Sequence, residues 1–214
     1  MPDDARFISI PSHKKLTSHF HAKDPIMAQA IEGIGLFKLQ RNKNYFQTLC
    51  KAIISQQIST KAAETIHGRF CALFPGRKPN STALQKLSEE EMRSVGLSRQ
   101  KIVYLKDLSL HFENKTIRPH RLFHQSNDEI IQCLIAVKGI GRWTAEMFLI
   151  FSLNRLDVLP VDDLGLQKGI MKLYSLPELP TRKEIQKFGE RWEPFQTVAV
   201  WYCWRSLDAN IISY

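Results

Sequence analysis

"VKGIGRWTAEMFLIF", residues 137–151, sets two glycines one residue apart inside an apolar run, with Lys138 and Arg142 on either side. Upstream, residues 129–136 read as one amphipathic helix; downstream, the apolar spacing predicts a second helix from about Arg142 to Leu153. Gly139 and Gly141 make the turn between them, because glycine reaches positive φ and lets another molecule approach the backbone closely. The second helix therefore opens with unpaired N–H groups and a partial positive charge. Such an end suits a phosphate and reads no base sequence. An ordinary αα-hairpin with solvated basic residues fits the same letters, so the stretch alone leaves both readings open.

Working outward, helix follows helix. In YFQTLCKAIISQQ (45–57), Phe46, Leu49, Cys50, Ile53 and Ile54 recur at helical spacing. Thr60 is placed to cap the next helix, which carries Ile66, Phe70 and Phe74 inward. Three later helices open on the S/T-x-x-E capping box: Ser88 to Glu91, Ser126 to Glu129 and Thr181 to Glu184. Ser98 caps a further helix with Ile102, Leu105, Leu108 and Phe112 on its inner face. Strand alternation and Asn-Gly hairpin signals do not occur, so the fold class is all-α. Turn residues concentrate at 75–82, 115–128, 154–162 and 175–181, without a low-complexity linker or internal repeat. The expected body is two helical lobes with a cleft between them. Residues 1–42 plus 165–214 form one lobe, and 43–164, carrying the hairpin at 135–153, the other.

The chain has 214 residues, is 43% hydrophobic and carries a formal net charge of +9, an excess suited to a polyanionic partner. Its four cysteines, Cys50, Cys71, Cys133 and Cys203, form no C-x-x-C pair and sit in apolar stretches, which reads as buried free thiols rather than ligands. "HFH" at 19–21 has no second cluster to complete a metal site and reads as a solvated start. The first residues lack an apolar signal core, and no apolar run approaches the roughly 18–20 residues that span a bilayer. An intracellular, reducing compartment is expected: cytoplasm or nucleoid in a bacterium, nucleus in a eukaryote.

Two more stretches carry chemistry. Twenty residues after Trp143 comes "LPVDDLGLQKGI" (159–170), where Pro160 stops one segment and Asp162 or Asp163 stands at a helix start. An aspartate there is a helix N-cap. It also stays ionised, and facing a cleft it can stabilise a cation or activate water. In "ISQQISTKAAETI" (54–66) a helix ends near Gln57 and Ile58 stands in the break. An apolar residue on a tight loop either packs inward or serves as a wedge driven into a base stack.

Together "SQQISTKAA" (55–63), "KGIGRWTAEM" (138–147), "LPVDDLGL" (159–166) and "PFQTVAVWYCW" (194–204) resemble the helix–hairpin–helix (HhH-GPD) DNA glycosylase superfamily. The resemblance is greatest to its alkylpurine branch, the 3-methyladenine DNA glycosylase II type, and covers about residues 24–209. It implies that Asp163 is the catalytic aspartate, with Asp162 the alternative one register away. It implies that Ile58 fills the gap left by a flipped nucleotide, and that Trp143, Met147 and Trp204 line the base pocket. Phosphate contacts fall to Thr60, Lys138, Gly139, Gly141 and Arg142. No cofactor is required, but main-chain carbonyls of Ile135, Val137 and Ile140 are implied to hold a structural Na+ or K+ at the hairpin.

The chemistry agrees with that assignment. A purine alkylated at N3 or N7 is cationic with a weakened glycosidic bond, and electron-rich aromatic faces attract it. As the base leaves, the sugar becomes oxocarbenium-like, as in glycoside hydrolysis. Members that also cut the strand carry a lysine where this chain has Trp143, so water is the expected nucleophile and an abasic site the product. The expected partner is double-stranded DNA with alkylated or abasic sites, bound by a monomer, without a membrane. Some relatives have tyrosine at the position of Met147, and the larger bacterial ones add an N-terminal β-rich domain for which this chain has no room. A non-catalytic damage-binding relative of the same fold is the alternative.

Overall fold

The computed structural model describes residues 10–207, and among these the regular structure is helical, α with two short 3-10 turns, and has no strand. Contacts divide the chain into two compact units, residues 42–148 and residues 1–41 with 149–214.

The unit of residues 42–148 is contiguous. It holds α3 (Tyr45–Ser55), α4 (Thr60–Ala72), α5 (Ser81–Lys86), α6 (Glu89–Ser94), α7 (Arg99–Glu113), α8 (Asn127–Ile135) and the start of α9 (Arg142–Leu153). Helix α7 is central and packs against α3, α5 and α6. Leu49, Ile53, Phe70, Leu84, Met92, Leu105, Leu108, Ile130 and Leu134 fill the core. Both predicted capping boxes of this unit, at Ser88 and Ser126, form, and Ser98 caps α7. One cap shifts by a residue. Ser59, not Thr60, accepts the Ala62 amide, because α4 already begins at Thr60.

The other unit opens with α1 (His13–Lys23) and α2 (Pro25–Ile34) and closes with α10 (Leu164–Leu173), α11 (Arg182–Trp192) and α12 (Gln196–Leu207). The reading of "HFH" as a solvated start is corrected here: it lies mid-helix in α1, where Phe20 is fully buried between two polar neighbours. Residues 149–163 pack with this unit rather than with the middle of the chain. Hydrogen bonds at the start of α12 hold them. The Thr197 amide donates to the Leu156 carbonyl at 2.8 Å, its hydroxyl to the Arg155 carbonyl at 2.7 Å, and the Val158 amide to that hydroxyl at 3.1 Å. The lobe boundary expected at 164 therefore falls instead within α9, between residues 148 and 149.

Asp24 organises the corner between α1 and α2. It is 1% exposed and accepts from the Met27 amide (3.1 Å), the Tyr174 hydroxyl (2.6 Å) and the Trp192 indole N–H (3.0 Å). A buried carboxylate is tolerable only with partners of this kind, since each donor left unsatisfied costs about 1–3 kcal/mol. All four cysteines are free; Cys50 and Cys203 are buried as expected, whereas Cys71 and Cys133 are half-exposed. No helix among the described residues is long and apolar enough to cross a membrane.

Candidate active site and DNA grip

The site residues fall into two groups, one in each unit, beginning with the unit of residues 42–148. Helix α3 stops at Ser55, Gln57 takes a left-handed conformation (φ 57°), and Ile58 follows with 37% of its surface exposed. An apolar side chain left in solvent at a turn is not core, so the inward-packing reading of Ile58 is set aside. The Gln56 side-chain amide crosses to the hairpin and donates to the Gly139 carbonyl at 2.7 Å.

The hairpin runs from the end of α8 at Ile135 to the start of α9 at Arg142, as the sequence predicted. Its two glycines differ. Gly139 has φ +82°, and a methyl group there would lie 2.1 Å from the Tyr104 ring, so both conformation and space demand glycine. Gly141 has neither requirement: its φ is not positive, and nothing lies within 4 Å of where a Cβ would stand. Its open backbone is what an approaching phosphate needs. Two amides of the turn are engaged within the protein, Lys138 to the Asp107 carboxylate (2.8 Å) and Ile140 to the Val137 carbonyl (3.1 Å).

Both flanking cations have acidic partners that the sequence reading missed. The Lys138 ammonium lies 3.8 Å from Asp107, and the Arg142 guanidinium donates to Glu146, one turn on, at 2.9 Å. The Glu146 carboxylate is buried, so it fixes Arg142 in place while over half of the arginine side chain stays exposed. The i,i+4 spacing of Arg142 and Glu146 was a readable signal. Trp143 is 40% exposed, and Met147, on the same face one turn later, is buried. Thr60 is exposed in the first turn of α4.

In the other unit, Asp162 and Asp163 separate cleanly. Asp162 is exposed and held in a bidentate pair with Arg182. Asp163 is 8% exposed and caps α10. Its Oδ1 accepts from the Leu166 amide at 2.6 Å and from the Trp204 indole N–H at 2.7 Å. Two donors on one oxygen fix the carboxylate orientation. Trp204 is itself pinned by stacking on Phe151 (5.9 Å, 16° between planes). Gly165 completes the arrangement, since a Cβ there would come within 3.0 Å of both Asp163 Oδ1 and Trp204 Cδ1. The family resemblance implied a pocket role for Trp204; its hydrogen bond to Asp163 is legible only in three dimensions.

The glycine hairpin with its two cations thus lies in one unit, and the buried aspartate at a helix start in the other. The model of the HhH-GPD superfamily of base excision DNA repair proteins matches residues 50–194, and the chain belongs to that superfamily. DNA-3-methyladenine glycosylase 1 of Schizosaccharomyces pombe is 36% identical over 202 residues, covering 92% of this chain and 89% of its own. Among solved structures, a DNA-3-methyladenine glycosidase from Bacillus halodurans superposes with TM-score 0.83 at 38% identity, covering 92% of this chain and 89% of that one. The Schizosaccharomyces pombe 3-methyladenine DNA glycosylase in complex with abasic DNA superposes with TM-score 0.80 at 35% identity, over 93% of this chain and 100% of the other.

Proposed function

We infer that this chain is a monofunctional DNA glycosylase that flips alkylated purines of the 3-methyladenine type out of double-stranded DNA and excises them by hydrolysis. The observation that carries the reading is Asp163, buried at the start of α10 with Oδ1 held by two N–H donors. In a member of a base excision family, a carboxylate so fixed serves the cation that forms when a base departs.

The steps follow from charge. The bond between the sugar C1′ and the purine nitrogen breaks with its electron pair going to the base. The cationic alkylpurine then leaves neutral, without needing a strong acid. The sugar is left as an oxocarbenium ion, which the Asp163 carboxylate stabilises while water adds at C1′ and gives up a proton to the solvent. Trp143 offers its indole face to the cationic base, and Met147 backs it. Ile58 occupies the space the nucleotide vacates, offsetting part of the unstacking cost of about a few kcal/mol. The amides around Gly139 and Gly141, with Arg142, Lys138 and Thr60, grip the phosphates. The backbone carbonyls of the last residue of α8 and of the turn after it are oxygen donors, which suits a hard monovalent cation. Ile135, Val137 and Ile140 would hold it, and it would add positive charge beside the phosphate. The reaction belongs inside the cell, where the DNA is.

Duplex DNA carrying 3-methyladenine or 7-methylguanine is expected to release free base on incubation with the protein, and borohydride should trap no covalent adduct. Trp143 leaves no amine at that position to form a Schiff base. A trapped adduct would overturn the monofunctional reading. Abasic-DNA binding without base release would instead leave the non-catalytic alternative. Because phosphate contacts dominate, affinity for undamaged duplex should fall linearly on a log–log plot against salt, with a slope of about −0.9 per phosphate neutralised. A flat salt titration would exclude the proposed grip.

A further inference from the structure

Helix α3 ends at Ser55, so its last carbonyls have no helical amide to accept from. Lys101, near the start of α7, supplies the missing donors. Its ammonium donates to the Ile54 carbonyl at 2.6 Å and to the Gln56 carbonyl at 2.8 Å. Cation and helix end attract, since the C-terminus of a helix carries partial negative charge. Partial burial pushes the Lys101 pKa down.

The same helix also reaches the hairpin. Tyr104 lies against Gly139, and Asp107 accepts the Lys138 amide. The Gln56 side chain closes the circuit by donating to the Gly139 carbonyl. Helix α7 therefore braces the loop that carries Ile58 and the hairpin together. Between the Lys101-bound carbonyl of Gln56 and Ile58 stands Gln57 at φ 57°, a conformation that persists in a non-glycine residue only where the surroundings fix it.

We propose that Lys101 is a positioning residue for the wedge: by clamping the carbonyls of Ile54 and Gln56 it fixes the direction in which Ile58 is presented, relative to the hairpin that grips the phosphate. The ordering of the loop is then complete before DNA arrives and does not detract from binding. This inference rests on the reading of Ile58 as the residue that fills the gap in damaged DNA.

The test is a double-mutant cycle read in affinity for duplex with a stable abasic analogue and for intact duplex. Lys101→Met should weaken abasic binding about tenfold and leave intact-duplex binding unchanged. Combined with Ile58→Ala, it should add nothing to the loss caused by Ile58→Ala alone. Lys101→Arg, which keeps the charge and several donors, should restore most of the affinity. If Lys101→Met does not fold, Lys101→Gln, with donors for a carbonyl but no charge, takes its place with a smaller loss expected. Additive losses, or equal losses on both DNAs, would overturn the positioning role. A wild-type protein that fails to distinguish abasic from intact duplex would instead overturn the proposed function, and this inference with it. That outcome is recognisable before any substitution is made.

Discussion

Asp163→Asn should abolish base release, by a factor of at least about a hundred in single-turnover rate, while the protein folds normally and keeps its affinity for DNA. The asparagine carbonyl oxygen can still accept from the Leu166 amide and the Trp204 indole, so the cap of α10 and the seat of Trp204 survive. What disappears is the negative charge, the one property that a neutral isostere cannot supply to an oxocarbenium ion. The neighbouring substitution is the control. Asp162 is exposed and paired with Arg182, so Asp162→Asn should release base at close to the wild-type rate. Full activity in Asp163→Asn would remove that residue from the chemistry.

Gly139→Ala is expected to be the more damaging of the two glycine substitutions, and to act on stability as well as on DNA. Forcing an L-residue into φ +82° costs about 1–2 kcal/mol. Displacing the Tyr104 ring, which rises from α7 with its hydroxyl held by Gln100, from a point 2.1 Å from the new methyl costs about 1–3 kcal/mol more. Denaturant unfolding should therefore show a loss of about 2–5 kcal/mol, and DNA binding should fall with it. Gly141→Ala separates the two effects. With ordinary φ and nothing near its Cβ position, it should unfold like wild type, and any weakening of DNA affinity then reports the methyl group standing before the backbone. Equal unfolding curves for Gly139→Ala and wild type would show that the turn is more pliable than its geometry.

Much of this was legible in the sequence because the signals are local. Capping boxes at Ser88, Ser126 and Thr181 are properties of four consecutive residues, and all three form. The hairpin and the bounds of α9 were read from glycine spacing and helical period. What could not be read depends on residues far apart in sequence. The partners of Lys138 and Asp163 lie 31 and 41 residues away, and no periodicity connects them. The grouping of residues 149–163 with the chain ends was missed for the same reason, because a long helix hides the point where its packing partners change. Two errors were local. The cap moved from Thr60 to Ser59, where adjacent hydroxyl residues compete for one role, and α1 was overlooked because buried Phe20 stands between two histidines.

The Asp24 corner bears on how the chain is made. Its carboxylate is satisfied by Met27 nearby, but also by Tyr174 and Trp192, 150 and 168 residues further on. The unit of residues 42–148 is contiguous and has its own core as soon as it is synthesised. The first two helices do not have that independence: until Tyr174 and Trp192 have left the ribosome, their corner lacks the hydroxyl and indole donors that satisfy the buried carboxylate. A chain cut before Tyr174 would keep the contiguous unit of residues 42–148 whole but leave the Asp24 carboxylate with only the Met27 amide.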